Sequence, residues 1–139
     1  MAADVLKVSD RQGDLERIKE AARIVESGGL VAFPTETVYG IACRVEQKSL
    51  ARLDQIKGRD ASKHYTVHIG QPEDYRRYVD GVGIRAEKLI RRAWPGPLTL
   101  VFELEQAKIA EHRECLGADV ADTIYKDGSV GLRCPDHPV

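Results

Sequence analysis

The chain has 139 residues, 42% of them hydrophobic and 31% charged, with a formal net charge of −1. That size and apolar content suit one domain with its own core, and they exclude a disordered chain or one that needs disulfide staples. No run of about 18 apolar residues exists, which excludes a helical membrane span, and near-neutrality excludes a globally basic nucleic-acid binder while leaving room for a local basic cleft.

In chain order, the opening Met1–Lys7 has no basic stretch leading into an apolar one, so no secretory signal is expected. Asp14 to Ser27 reads as an amphipathic helix, with Leu15, Ile18, Ala22 and Val25 at helical spacing and Gly28-Gly29 stopping it. Leu30 to Phe33 is a short apolar strand ended by Pro34. Thr35 to Gly40 is polar and turn-rich, and Ile41 to Val45 reads as a second strand. Ser49 to Lys57 is a helix with Leu50, Leu53 and Ile56 on one face, and Thr66 to Ile69 is a third strand. Helices follow over Pro72–Val79 and Ile84–Trp94, the second with Leu89, Ile90 and Ala93 inward; Pro95-Gly96-Pro97 breaks it, since proline cannot continue a helix. Leu98 to Leu104 is a strand and Ile109 to Leu116 a helix. Ala121–Tyr125 and Ser129–Arg133 flank Lys126-Asp127-Gly128, a turn signal that predicts a hairpin. Interleaved helices and strands predict an α/β fold, and the hairpin makes its sheet mixed. With no repeat, linker or low-complexity tract, residues 1–139 read as a single domain.

Cys43, Cys115 and Cys134 have no paired spacing, which fits small buried side chains in a reducing cytoplasm better than a disulfide framework. His64 and His68 share a strand face on this reading, but no third metal ligand accompanies them.

Four polar clusters fall at strand or helix ends, where ligand sites gather in open α/β sheets. They are Thr35–Gly40, Lys57-Gly58-Arg59 with Lys63, Trp94–Thr99, and Ser129–Arg133. Neither a GxxxxGK[ST] phosphate loop nor a nucleophile with an evident base is present. Lys57, Arg59 and Lys63 suit a polyphosphate, where neutralising charge does most of the catalytic work. Arg133 suits a carboxylate, which its fork binds through two parallel hydrogen bonds. Taken singly, each cluster also fits a bland role: a solvated helix end, a threonine-stabilised turn, a rigid proline turn, a surface arginine.

Together and in this order, the clusters resemble the Sua5/YciO/YrdC family of threonylcarbamoyl-AMP synthases. Gly28–Gly40 (GGLVAFPTETVYG) is similar to the family hallmark, Lys57-Gly58-Arg59 with Lys63 to its K-x-R…K element, Trp94–Thr99 to its P-G-P-x-T element, and Ser129–Pro138 to its V-G-x-R-x-P-x-H-P element. The resemblance implies a YrdC-like twisted mixed β-sheet covered by helices, and a reaction that joins L-threonine, bicarbonate and ATP into threonylcarbamoyl-AMP and pyrophosphate for modification of adenosine 37 in tRNA. It implies threonine contacts at Thr35, His68 and Arg133. Nucleotide contacts fall on Lys57, Arg59, Lys63 and Ser129, with Lys57 and Arg59 the catalytic cations and Thr37 and Tyr39 forming the pocket wall. Mg²⁺ is implied as the companion of ATP, with no protein-ligated metal. Implied partners are the machinery that transfers the threonylcarbamoyl group and a double-stranded RNA or tRNA; a non-catalytic RNA-binding module is the alternative reading. His64-Tyr65 depart from the Pro-aliphatic pair usual after Lys63. The family's further helix, strand and S-A-N-x-S-G loop do not follow the H-P element here, so the C-terminal part of the family fold is expected to be missing.

Overall fold

The computed structural model describes residues 3–9, 14–58 and 63–139. The first helix, α1, covers Leu15–Glu26. Its end is closed by main-chain bonds from Ser27 to Arg23, Gly28 to Val25 and Gly29 to Ile24, at 2.9, 3.0 and 2.8 Å. A Cβ on Gly29 would lie 2.6 Å from Ile24 Cγ2 and 2.8 Å from its carbonyl oxygen, so only glycine fits this turn. The chain then forms an antiparallel pair, β1 (Val31–Phe33) and β2 (Gly40–Ala42), in register Val31 with Ala42 and Phe33 with Gly40. The expected strand to Val45 stops at Ala42.

Helix α2 (Gln47–Lys57) buries Ser49, Leu50 and Leu53. The Ser49 hydroxyl donates to the Gly28 carbonyl at 3.1 Å and lies 2.8 Å from Glu46 Oε1, tying α2 to the turn after α1. Ile56, expected on the inward face, is 60% exposed and sits in the last turn of α2. Strand β3 (Thr66–His68) follows, then a 3₁₀ turn over Pro72–Arg77 where an α-helix was expected. Helix α3 (Ile84–Ala93) packs through Ile90, which is 5% exposed. Leu89, expected inward, is 47% exposed, because neighbouring positions on a helix point about 100° apart.

After α3 the Trp94 indole donates to the Leu98 carbonyl at 2.7 Å, and Gly96 N–H bonds the Cys134 carbonyl at 2.8 Å. A Cβ on Gly96 would stand 2.4 Å from the Ala93 oxygen. The Pro-Gly-Pro turn therefore clamps the end of the last strand. Strand β4 (Leu100–Glu103), α4 (Gln106–Leu116), α5 (Ala118–Ile124) and β5 (Ser129–Arg133) complete the fold. The predicted hairpin is absent: Ala121–Tyr125 is helical up to Ile124, not a strand. Val120, Ala121, Ile124 and Tyr125 recur at helical spacing and pack inward, which outweighs their β-favouring composition.

Strand β5 is the centre of a three-stranded sheet, parallel to β3 and antiparallel to β4. The sheet is mixed as expected, but a parallel β3–β5 pairing makes it so rather than a local hairpin. The β1–β2 pair stands as a separate two-stranded sheet. Because side chains alternate along a strand, β5 has two faces. Val130 and Leu132 are 1% and 0% exposed and lie in the core with Val67, Ile90, Trp94, Ile124 and Tyr125. Ser129, Gly131 and Arg133 look the other way, alongside Thr66 and His68 of β3. Burial of each aliphatic side chain stabilises by about 1.5–3 kcal/mol.

Candidate functional site

The site is built where the loop between β1 and β2 meets this second face of the sheet. Phe33 ends β1, Pro34 stops the strand, and Thr35 folds the loop on itself. Its Oγ1 accepts from the amides of Thr37 and Val38 at 3.3 and 3.2 Å and donates to the Val38 carbonyl at 2.6 Å. Thr37 Oγ1 lies 3.1 Å from Thr35 Oγ1 and accepts from Arg133 Nη2 at 3.0 Å. A continuous polar chain thus runs from Arg133 through Thr37 and Thr35 to the loop backbone.

Arg133 also donates from Nη2 to Glu36 Oε1 at 2.8 Å, across 97 positions of sequence. Both side chains are largely covered, at 14% and 19% exposed. The Arg133 hydrogen bond holds the Glu36 carboxyl below the usual carboxylate range, with smaller contributions from the amides of Glu36 and Asp136. The Arg133 Nε is buried and has no hydrogen-bond partner among the described residues.

His68 is the direct register partner of Arg133 on the neighbouring parallel strand. Its ring meets Phe33 edge-on, with centroids 5.6 Å apart and planes at 87°. Burial, and then the positive charge of Arg133, push its pKa below the ordinary 6.5, so the imidazole is neutral at physiological pH. Between the β1–β2 pair, α2 and β3 opens a cavity of about 480 Å³, lined by Phe33, Ile41, Leu53, Lys57, His64 and His68 among others. A second cavity of about 420 Å³, between the 3₁₀ turn and α3, shares no lining residue with it.

Thr35, Thr37, His68 and Arg133 therefore come together, and Lys57 joins His68 on the cavity wall. Lys63 is exposed and lines neither cavity. His64 precedes β3 instead of sharing a strand face with His68, and its Nε2 lies 3.0 Å from Asp127 Oδ2. Ser129 begins β5, on the same face as Arg133 but at the other end of the strand, where it bonds the Lys126 carbonyl at 3.4 Å. Tyr39, expected in the pocket wall, is 78% exposed and lies outside the cavity lining. Arg59 lies outside the described residues. Among the described residues no three His, Cys, Asp or Glu side chains converge as a metal ion requires. Burial pushes the Cys43 and Cys134 thiols up, away from the thiolate a nucleophile needs, and Cys115 is exposed rather than buried.

Two site residues escaped sequence reasoning. Glu36 sits inside the Thr-Glu-Thr cluster, but only the folded chain reveals Arg133 as its partner. Phe33 reads as an ordinary strand residue, yet it orients the His68 ring. One signal for part of the site was in reach: two-residue periodicity along Ser129–Arg133 separates Val130 and Leu132 from Ser129, Gly131 and Arg133.

The model of the Sua5/YciO/YrdC family, described as "Telomere recombination", matches residues 23–139. A threonylcarbamoyl-AMP synthase of Pyrococcus abyssi is 41% identical over 87 residues, covering 62% of this chain and 26% of the relative. That of Bacillus subtilis is 29% identical over 137 residues, covering 98% of this chain and 35% of the relative. The crystal structure of P. abyssi Sua5 complexed with L-threonine superposes with a TM-score of 0.72 at 30% identity, covering 94% of this chain and 34% of that one. The chain thus spans about a third of the length of these relatives.

Proposed function

The chain belongs to the Sua5/YciO/YrdC family, and from that premise we propose that it acts as an L-threonylcarbamoyladenylate synthase, with threonine bound where β3 and β5 meet the Thr35–Thr37 loop. The observation that carries the reading is the register pairing of His68 with Arg133 on one sheet face, with the Thr35–Thr37 loop folded onto the same spot. A guanidinium beside a neutral imidazole and hydroxyls is matched to an α-amino acid. The arginine takes the carboxylate, and the uncharged imidazole and hydroxyls suit the amine and the side-chain hydroxyl.

The proposed chemistry needs no protein nucleophile. The amine of L-threonine adds to CO₂ derived from bicarbonate and loses a proton, giving a carbamate. A carbamate oxygen then attacks the α-phosphorus of ATP, the α–β bridging bond breaks, and pyrophosphate leaves with its electron pair. What the protein contributes is proximity and charge. It holds two anionic reactants against each other, and Lys57 on the cavity wall, with Arg59 and Lys63 following in sequence, offsets the charge that builds on the phosphates. Mg²⁺ enters with ATP as part of the substrate. The product is the activated group for adenosine 37 of tRNA, handed to a transfer machinery in the cytoplasm.

The test is pyrophosphate release by the purified chain with ATP, L-threonine and bicarbonate. Release that requires both threonine and bicarbonate is expected; release indifferent to threonine refutes the proposal. Should duplex RNA bind in a strongly salt-dependent way without any turnover, the non-catalytic RNA-binding reading replaces it.

A further inference from the structure

The Arg133 side chain, assigned above to a substrate carboxylate, already holds a carboxylate of its own chain. Glu36 Oε1 sits 2.8 Å from Nη2, and Thr37 Oγ1 takes the same nitrogen at 3.0 Å. This contact joins two sheets that share no strand pairing, the β1–β2 pair and the three-stranded sheet. It uses one carboxylate oxygen and one guanidinium nitrogen. Arginine offers five N–H donors in a fork, and its strong carboxylate pairs are two-pronged. The Nε of Arg133 is left buried and without a partner among the described residues, a state that costs free energy until an acceptor arrives.

We propose that Glu36 is an internal stand-in for the substrate carboxylate, a latch that keeps Arg133 folded onto the loop and that an incoming amino acid must displace. The inference rests on the threonine reading above and adds the competitor built into that site. A ligand carboxylate that engages Arg133 through two nitrogens replaces a one-pronged contact and satisfies the orphaned donor. The Glu36 side chain then swings off Arg133, while Thr35 and Thr37, held by their own hydrogen bonds to the loop backbone, stay at the site. Glu36 acts through Arg133 and touches no reacting atom, so it is a positioning residue that sets the affinity for threonine.

The test is calorimetric titration of L-threonine into the wild-type chain, Glu36→Gln, Arg133→Ala and the double variant. Removing the competing charge is expected to tighten binding about two- to fivefold, the range of a one-pronged ion pair that solvent still partly reaches. In the Arg133→Ala background the same substitution is expected to change nothing, because the competition has no object. A purely structural Glu36 would give the opposite sign, so unchanged or weaker binding by a folded Glu36→Gln overturns the latch. The threonine site survives that result as long as Arg133→Ala loses affinity. Threonine binding that is unaltered in Arg133→Ala, or absent from the wild-type chain, overturns the threonine reading and the latch with it. Should Glu36→Gln fail to melt cooperatively, Glu36→Asp, which keeps the charge but shortens the reach, carries the same expected gain.

Discussion

Replacing Leu132 by alanine tests whether β5 really divides its labour between core and site. Leu132 is fully buried, at 0% exposure, between Val67 of β3 and Leu100 of β4. Alanine removes three carbons and leaves a void that flanking strands, fixed by their ladder, close poorly. Buried leucine-to-alanine changes cost about 2.7–5.0 kcal/mol, and a site walled on both sides by strands belongs in that range at about 3 kcal/mol. Domains of this kind hold about 5–15 kcal/mol in total, so the variant folds but is clearly weakened. The assay is urea unfolding followed by the fluorescence of Trp94, the single tryptophan, which is 5% exposed and lies in the same cluster. With an m-value of about 2 kcal/mol per molar urea, the midpoint falls by about 1.5 M at constant m. Since Leu132 and Arg133 point to opposite faces, threonine affinity of the folded variant stays within a factor of two. A midpoint shift under about 0.3 M, or affinity lost while the protein remains folded, refutes the two-faced strand.

Other expectations are as direct. Burial holds the His68 pKa below 6.5 in the folded state, so the unfolded chain binds more protons on acidification. Its contribution to stability is complete above pH 6.5 and is lost as pH falls through the depressed value; an NMR titration of His68 at or above 6.5 contradicts this. The Glu36 shift has the same sign lower down, present above its ordinary 4.5 and lost as the carboxyl protonates. Tyr125→Phe deletes the 2.7 Å bond from its hydroxyl to the Tyr78 carbonyl beside the core. It is expected to cost about 0.5–1.5 kcal/mol in urea unfolding, the net worth of one hydrogen bond, and a neutral effect contradicts that assignment. Lys57→Ala sits on an exposed last turn, so it is expected to leave the melting temperature within a degree or two while weakening ATP binding; unchanged ATP affinity removes Lys57 from the nucleotide site.

The chain's own residues determined most of its element boundaries and its affiliation. Local chemistry sets both: glycine pairs and prolines end elements wherever they occur, and the motif clusters are read in linear order. Short-range periodicity also located Ile90, Leu50 and Leu53 in the interior. It failed for Ile56 and Leu89, whose burial depends on what lies opposite, and for Ala121–Tyr125, which reads as a strand while its packing partners favour a helix up to Ile124. The site was legible as a set of residues and illegible as an arrangement. Thr37, Glu36 and Arg133 are separated by up to 97 positions, and nothing local to either end records that the fork of one meets the carboxylate of the other. The pairing of His68 with Arg133 exists because β5 lies parallel to β3. Strand partnership is set by burying Val67, Val130 and Leu132 together, a long-range gain that no window of sequence contains.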